Sequence, residues 1–158
     1  MQAIEQLKKE LRVIANLHGA ASLLHWDQET YMPAGGGDAR ADQIALLESL
    51  AHERLVGDGI KAPLRDVVNI GNGEPNKDLS DESQRFVREI WKDYHRAAAL
   101  PGEFVEELSK TTSRAQQVWA ESRKENDYIK FSPWLEKIIQ LKNKEIEYLG
   151  QKGSPYDT

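Results

Sequence analysis

Cysteine is missing from this chain altogether. That excludes disulfides and thiolate metal sites together, and it fits a reducing compartment. A surplus of basic charge is missing as well: 21 Lys and Arg stand against 26 Asp and Glu, for a formal net charge of -5. No nucleic-acid partner is expected, because neutralising phosphates takes a basic face and the Lys and Arg positions do not gather into one. Neither a signal-peptide core nor an apolar run of membrane length occurs. No membrane partner is therefore expected, and the predicted location is cytoplasmic. Strand-like alternation of apolar and polar residues is absent too, which removes a sheet from the expected fold.

Catalytic chemistry is equally thin. Only four histidines occur, His18, His25, His52 and His95. A helical zinc site of the H-E-x-x-H kind needs two of them four residues apart, so that both imidazoles share a face while the Glu activates a water. The nearest fragment, His52-Glu53-Arg54-Leu55-Val56, puts Val56 where the second ligand would stand, and His52 reads as an ordinary helix residue. His18 and His25 lie two turns apart on one predicted helix, too far to share a metal unaided. His95, between Tyr94 and Arg96, has no partner suggested. No serine sits in a Gly-x-Ser-x-Gly elbow. Gly35-Gly36-Gly37 lacks both the preceding strand and the following Lys-Ser/Thr of a phosphate loop. The residues alone name no catalytic group, no metal ligand and no cofactor for this chain.

What is present is helical periodicity, in a chain of 158 residues that is 39% hydrophobic and 30% charged. That is the size and composition of one ordinary globular domain. Ile4, Leu7, Leu11, Ile14, Ala21 and Leu24, with His18 filling one step, predict an amphipathic helix over 3–25. Pro33 and the three glycines interrupt it, and a second helix follows over 38–56 on Ile44, Leu47, Leu50, Ala51 and Leu55, ended by Gly57 and Gly59. The stretch 57–79 is rich in Pro, Gly and Asn and reads as a mobile surface connection with one short helix around 64–70. Ser80 caps a helix whose inner stripe is Phe86, Ile90, Tyr94 and Ala97. Pro101 opens a long one to about Asn126 on Phe104, Leu108, Thr111, Ala115, Val118, Trp119 and Ser122. Ser132-Pro133 opens the last, with Leu135, Ile138, Ile139, Leu141, Ile146 and Leu149 inward and Gly150 as its stop. The expected fold is all-α, an antiparallel bundle of about five or six helices forming a single helical domain over 1–158. The last residues, 151–158, have the turn chemistry of a connector.

One stretch stands out. Residues 25–33, His25-Trp26-Asp27-Gln28-Glu29-Thr30-Tyr31-Met32-Pro33, crowd an imidazole, an indole, two carboxylates, a carboxamide and a phenol into the exit of the first predicted helix. Two readings are open. In the architectural one, Trp26 and Tyr31 bury their rings and Asp27 and Glu29 satisfy nearby amides. In the functional one, His25, Trp26, Asp27, Gln28, Glu29 and Tyr31 line a site. An acid/base pair of Asp27 and Glu29 is disfavoured, because a spacing of two puts them on different faces of a helix.

That stretch, followed by glycines and Ala39-Arg40, resembles the thermostable carboxypeptidase Taq family of metallo-carboxypeptidases. A second stretch does so as well: Val118-Trp119-Ala120-Glu121-Ser122-Arg123-Lys124-Glu125-Asn126-Asp127-Tyr128, then Phe131, Pro133, Leu135, Lys137 and Ile138. Gly19-Ala20-Ala21, Pro101, Tyr148-Leu149-Gly150 and Pro155-Tyr156-Asp157 fit the same pattern. The resemblance implies the N-terminal region of a longer all-helical enzyme that removes residues from peptide C-termini by zinc-assisted hydrolysis and forms a homo-oligomer. It implies a divalent metal, zinc, for the full-length enzyme and none held here, because the H-E-x-x-H helix, the third ligand and the catalytic Glu would lie in a downstream catalytic portion. This region would wall or cover a peptide groove, inactive by itself, with the catalytic portion supplied in cis or in trans. The alternative is a free-standing helical binding module derived from such an enzyme and working with a separate partner.

Overall fold

The computed structural model describes residues 2–150. They form six α-helices: α1 (Gln2–Thr30), α2 (Gly37–Val56), α3 (Asp58–Val67), α4 (Asp81–Ala98), α5 (Gly102–Glu125) and α6 (Tyr128–Tyr148), with a single 3-10 turn, Ala34–Gly36, before α2. Among the described residues there is no strand, only an isolated antiparallel bridge between Val68 and Pro75. No helix among them is long and apolar enough to cross a membrane. The connector expected over 151–158, and Pro155-Tyr156-Asp157 within it, lie outside the described residues.

The chain folds as two units, each assembled from separated stretches. The first takes the chain up to His18 and Leu50–Ala99. Its core is aliphatic: Leu7, Ile60, Leu64 and Val87 are fully buried, surrounded by Ile4, Ile14, Ala51, Val67, Val68, Ile90 and Tyr94. Ile90 and Tyr94 belong to the stripe expected on α4, whereas Val87 does not. The short helix expected around 64–70 lies earlier, over α3. Gly57, in extended conformation, is its N-cap, so Gly59 falls inside α3 instead of ending α2. Ser80 caps α4 as expected, accepting a hydrogen bond from the Ser83 amide at 3.3 Å.

The connection between α3 and α4, expected to be loose, is hydrogen-bonded along its length. The Asn69 amide donates to Glu74 O at 2.8 Å and the Asn76 amide to Val67 O at 2.9 Å, while the Asn76 side chain donates to Asp66 O at 2.8 Å. Trp91 Nε1 donates to Ile70 O at 2.8 Å and fixes the loop to α4. Gly73 makes the turn possible: its φ is +74°, and a Cβ there would sit 2.4 Å from the Trp91 ring. A left-handed backbone under an indole leaves room for glycine alone.

The second unit takes Gly19–Ser49 and the chain from Leu100 on. Its interior is built of small and polar side chains: Ala21, Ala41, Ala45 and Ala115 are buried with Ile44, Phe104 and Leu141, and so are Thr111, Ser113 and Ser122. Helices α5 and α6 pack as a hairpin. Asn126, left-handed at φ 56°, ends α5, and Asp127 caps α6 by accepting from the Lys130 amide at 3.2 Å. The start of α6 thus differs from the expected Ser132-Pro133, and Pro133 is an interior residue. A proline there removes the amide that would serve the Ile129 carbonyl. The Ser132 hydroxyl replaces it, donating to Ile129 O at 3.2 Å. Pro101, likewise, is the N-cap of α5 and not its first helical residue. Of the stripe expected on α6, only Leu141 is buried, and Ile139 is exposed.

Candidate functional site

No glycine or proline interrupts residues 25–30, and α1 accordingly runs on to Thr30, past the end expected near residue 25. Its last turn closes with the Tyr31 and Met32 amides both donating to Asp27 O, at 3.0 and 2.9 Å. The Thr30 hydroxyl donates back to Trp26 O at 2.8 Å. The candidates from His25 to Glu29 are therefore helical, Tyr31 follows in the closing turn, and the 3.6-residue period sorts the helical ones by face.

Asp27 and Gln28 turn toward the second unit's own helices. Asp27 Oδ2 lies 2.6 Å from the Arg40 guanidinium of α2. Arg40 also donates to Leu24 O at 2.8 Å and to Gln43 Oε1 at 3.3 Å, so one side chain clamps the end of α1 to the start of α2. Gln28 makes a reciprocal pair with α5: its amide donates to Ser113 O at 2.9 Å, and the Ser113 hydroxyl donates to Gln28 Oε1 at 2.8 Å. His25, Trp26, Glu29 and Tyr31 face outward. Trp26 is 57% and Tyr31 75% exposed, and their rings meet edge to face at 5.5 Å and 61°. The architectural expectation is not met as stated, and Glu29 is exposed. Asp27 is braced, by a guanidinium instead of an amide, but the rings are not buried.

Beside this ledge lies a cavity of about 440 Å³ lined by Gln28, Glu29, Met32, Gln116, Gln117, Trp119 and Glu121, among others. Carboxamides offer paired donors and acceptors of the kind a peptide backbone needs, and the two carboxylates favour a cationic group. Gly37 lets α2 approach: a Cβ there would meet the Gln117 side chain. A second cavity, of about 300 Å³, lies between α5 and α6 and carries Lys110, Arg114 and Lys137. Each already has a carboxylate: Lys110 pairs with Glu106 at 2.7 Å and Asp42 at 3.5 Å, Lys137 with Glu107 at 3.3 Å, and Arg114 Nε stands 3.0 Å from Asp38 Oδ1 without aiming its N–H at it. The hydrogen bond to Glu106 holds the Lys110 pKa above its ordinary value. That cleft is charge-balanced and has little left to offer a ligand.

Among the described residues, no group of three or more His, Cys, Asp or Glu side chains could hold a metal ion. Of the four histidines, His95 stacks on Trp91 at 4.9 Å. Sequence reasoning misses the Arg40 clamp and the carboxamides Gln116 and Gln117. Arg40 enters the sequence signal only as part of a motif, and an isolated glutamine on a helix carries no spacing signal.

The described geometry has counterparts in known proteins. The family model of carboxypeptidase Taq (M32) metallopeptidases matches residues 6–158. Thermostable carboxypeptidase 1 of Pyrococcus furiosus is 35% identical over 156 residues, covering 99% of this chain and 30% of the relative. Thermostable carboxypeptidase 1 of Thermus thermophilus is 34% identical over 147 residues, covering 93% and 28%. Among solved structures, the M32 carboxypeptidase from Deinococcus radiodurans R1 is similar with a TM-score of 0.74 at 32% identity, covering 99% of this chain and 30% of that one. The structure of BsuCP reaches a TM-score of 0.88 at 26% identity, covering 99% and 31%. The chain spans about 30% of the length of the curated relatives it matches. With the match running over nearly all its residues, this chain belongs to the carboxypeptidase Taq family of metallopeptidases.

Proposed function

We propose that this chain is the N-terminal region of a zinc-dependent or otherwise divalent-metal-dependent carboxypeptidase, acting on the C-termini of peptides, and that it forms a wall or lid of the peptide groove as one helical domain. The observation that carries this reading is the ledge at the end of α1. Trp26 and Tyr31 are held out to solvent while Asp27 and Gln28 beneath them are pinned by Arg40 and Ser113. A rigid aromatic surface supported from behind suits substrate positioning, because preorganised contacts orient a peptide without ordering cost at the moment of reaction. Trp26, Tyr31, His25 and Glu29 would face the peptide, and Asp27 and Gln28 would position them.

The described residues offer no place for a metal, so the metal and its proton-accepting carboxylate belong, in this reading, to a catalytic portion supplied in cis or in trans. The chain by itself is then inactive, and its contribution is shape, orientation and exclusion of water. The assembled enzyme is read as a homo-oligomer of the cytoplasm. Trp26→Ala in the enzyme containing this chain should lower kcat/KM on a peptide substrate about tenfold while metal content, measured by elemental analysis, stays unchanged. Unchanged turnover would remove the groove role.

A further inference from the structure

Trp119, 39% exposed on α5, lies where three depressions of the second unit meet. One, of about 340 Å³, is walled by Trp119, Arg123, Tyr128 and Phe131. The next, of about 280 Å³, shares Trp119 and Phe131 and adds Ala115 and Ile138. The third is the cavity beside Gln28 and Glu29, which also includes Trp119. The first two share Trp119 and Phe131 and make one largely apolar groove along the α5–α6 hairpin, which the third, polar cavity adjoins only at Gln116 and Trp119. Tyr128 and Ile129, the latter 82% exposed, continue it at the start of α6.

Within the groove one group is out of place. Ser122 is 4% exposed, lines the first depression, and its Oγ finds no hydrogen-bond partner. An unpaired buried hydroxyl is unfavourable, and such groups in native proteins ordinarily have a partner. The charged groups around it already have contacts of their own. Lys130 Nζ sits 2.8 Å from Glu121 and 3.3 Å from Glu125, and the Arg123 guanidinium covers the Trp119 ring at 5.4 Å. An apolar trough whose rim carries one cation, Arg123, and one anion, Asp127, with one waiting hydroxyl inside, suits a nonpolar segment carrying a single polar group.

We propose that this groove seats an apolar-faced helix of the carboxypeptidase's catalytic portion, which brings a polar group to Ser122 Oγ. The inference rests on the reading of the chain as one region of a longer enzyme. It draws its occupant from length: the chain accounts for only 30% of the Pyrococcus furiosus relative, so most of such an enzyme must find a surface to pack against. Exposed apolar residues flanking an unpaired buried hydroxyl are what a surface shows when its covering segment is absent.

The test mixes the 158-residue chain with the separately produced remainder of the Pyrococcus furiosus enzyme and maps amide exchange by mass spectrometry. The expected result is a one-to-one complex with slowed exchange concentrated over 112–131. Trp119→Glu should weaken it at least a hundredfold and Ser122→Ala about tenfold, the loss expected for one buried hydrogen bond. Tyr128→Glu, at an exposed site where a charge leaves folding intact, should weaken it comparably to Trp119→Glu. A complex protected elsewhere, for instance over 23–34, would overturn this surface while leaving the proposed function standing. No complex at all would overturn this surface. Protection of 112–131 in the chain alone, rising with its concentration, would make a second copy the occupant and overturn the proposal.

Discussion

The two units of this chain are both built mainly of helices, yet they bury different things. The first closes over Leu7, Ile60, Leu64 and Val87, and among the described residues Leu50 is its only exposed large hydrophobic. The second buries alanines, two serines and a threonine beside Ile44, Phe104 and Leu141, and leaves Leu23, Trp26, Tyr31, Leu46, Trp119, Tyr128, Ile129, Ile139 and Tyr148 outside. Hydrophobic stabilisation scales with apolar area removed from water. The first unit therefore gains more from its aliphatic core, while the second leaves more apolar surface exposed. A globular region that keeps its aromatics outside is built to be covered.

That contrast can be broken most directly by truncating one core side chain. Leu64→Ala should destabilise the chain by about 2–5 kcal/mol, the usual cost of removing a fully buried leucine. Ile139→Ala in the second unit should cost under about 0.5 kcal/mol, as exposed substitutions do. Equal midpoint shifts in denaturant would abolish the distinction. Next in size, Gly73→Ala should cost about 2 kcal/mol or more, combining left-handed backbone strain with displacement of the Trp91 ring. Its mark would be faster amide exchange over 68–79, and unchanged exchange there would mean that the loop is held by its other hydrogen bonds. Within the second unit, Gln28→Ala should cost about 1–2 kcal/mol, because it leaves the buried Ser113 hydroxyl without its acceptor. The loss should appear as faster exchange at the end of α1, without change over 58–94.

The smallest expected effect is electrostatic and confined to the α5–α6 turn. Hydrogen bonding to Lys130 lowers the Glu121 pKa below its ordinary 4.5, and the same bond raises Lys130 above 10.5. A carboxyl lowered on folding stabilises above pH 4.5 and ceases to do so as pH falls through the lowered value. An amine raised on folding stabilises below pH 10.5 and ceases to do so as pH rises through the raised value. Exchange at the turn should therefore be tightest between those limits and loosen on either side. Lys130→Met should flatten the profile, and a profile unaltered by that change would assign the turn's stability to Asn126 and Asp127 instead.

The helices are legible in the sequence because their apolar spacing and breakers are local signals: Ser80, Asn126 and Gly150 (φ +65°) mark ends wherever the tertiary structure puts them. Legibility fails where a residue's role depends on a distant neighbour. Pro133 reads as a helix start until Ser132 is seen serving the carbonyl that the proline abandons. The stripe on α6 reads as core although most of it is only half covered within this chain. At the candidate site, the importance of residues 25–33 is visible as density of functional groups. Their division into braced and outward faces is not, because it is decided by Arg40 and Ser113, which lie on other helices.

Because the Ser132 hydroxyl stands in for an amide that Pro133 lacks, α6 is joined to its own first turn by one rung fewer than a regular helix has. A side-chain rung can release by rotating one bond, with the backbone left in place. The first turn of α6, which carries Tyr128 and Ile129, is thus held to the rest of the helix in part by a side chain, and to α5 through Lys130.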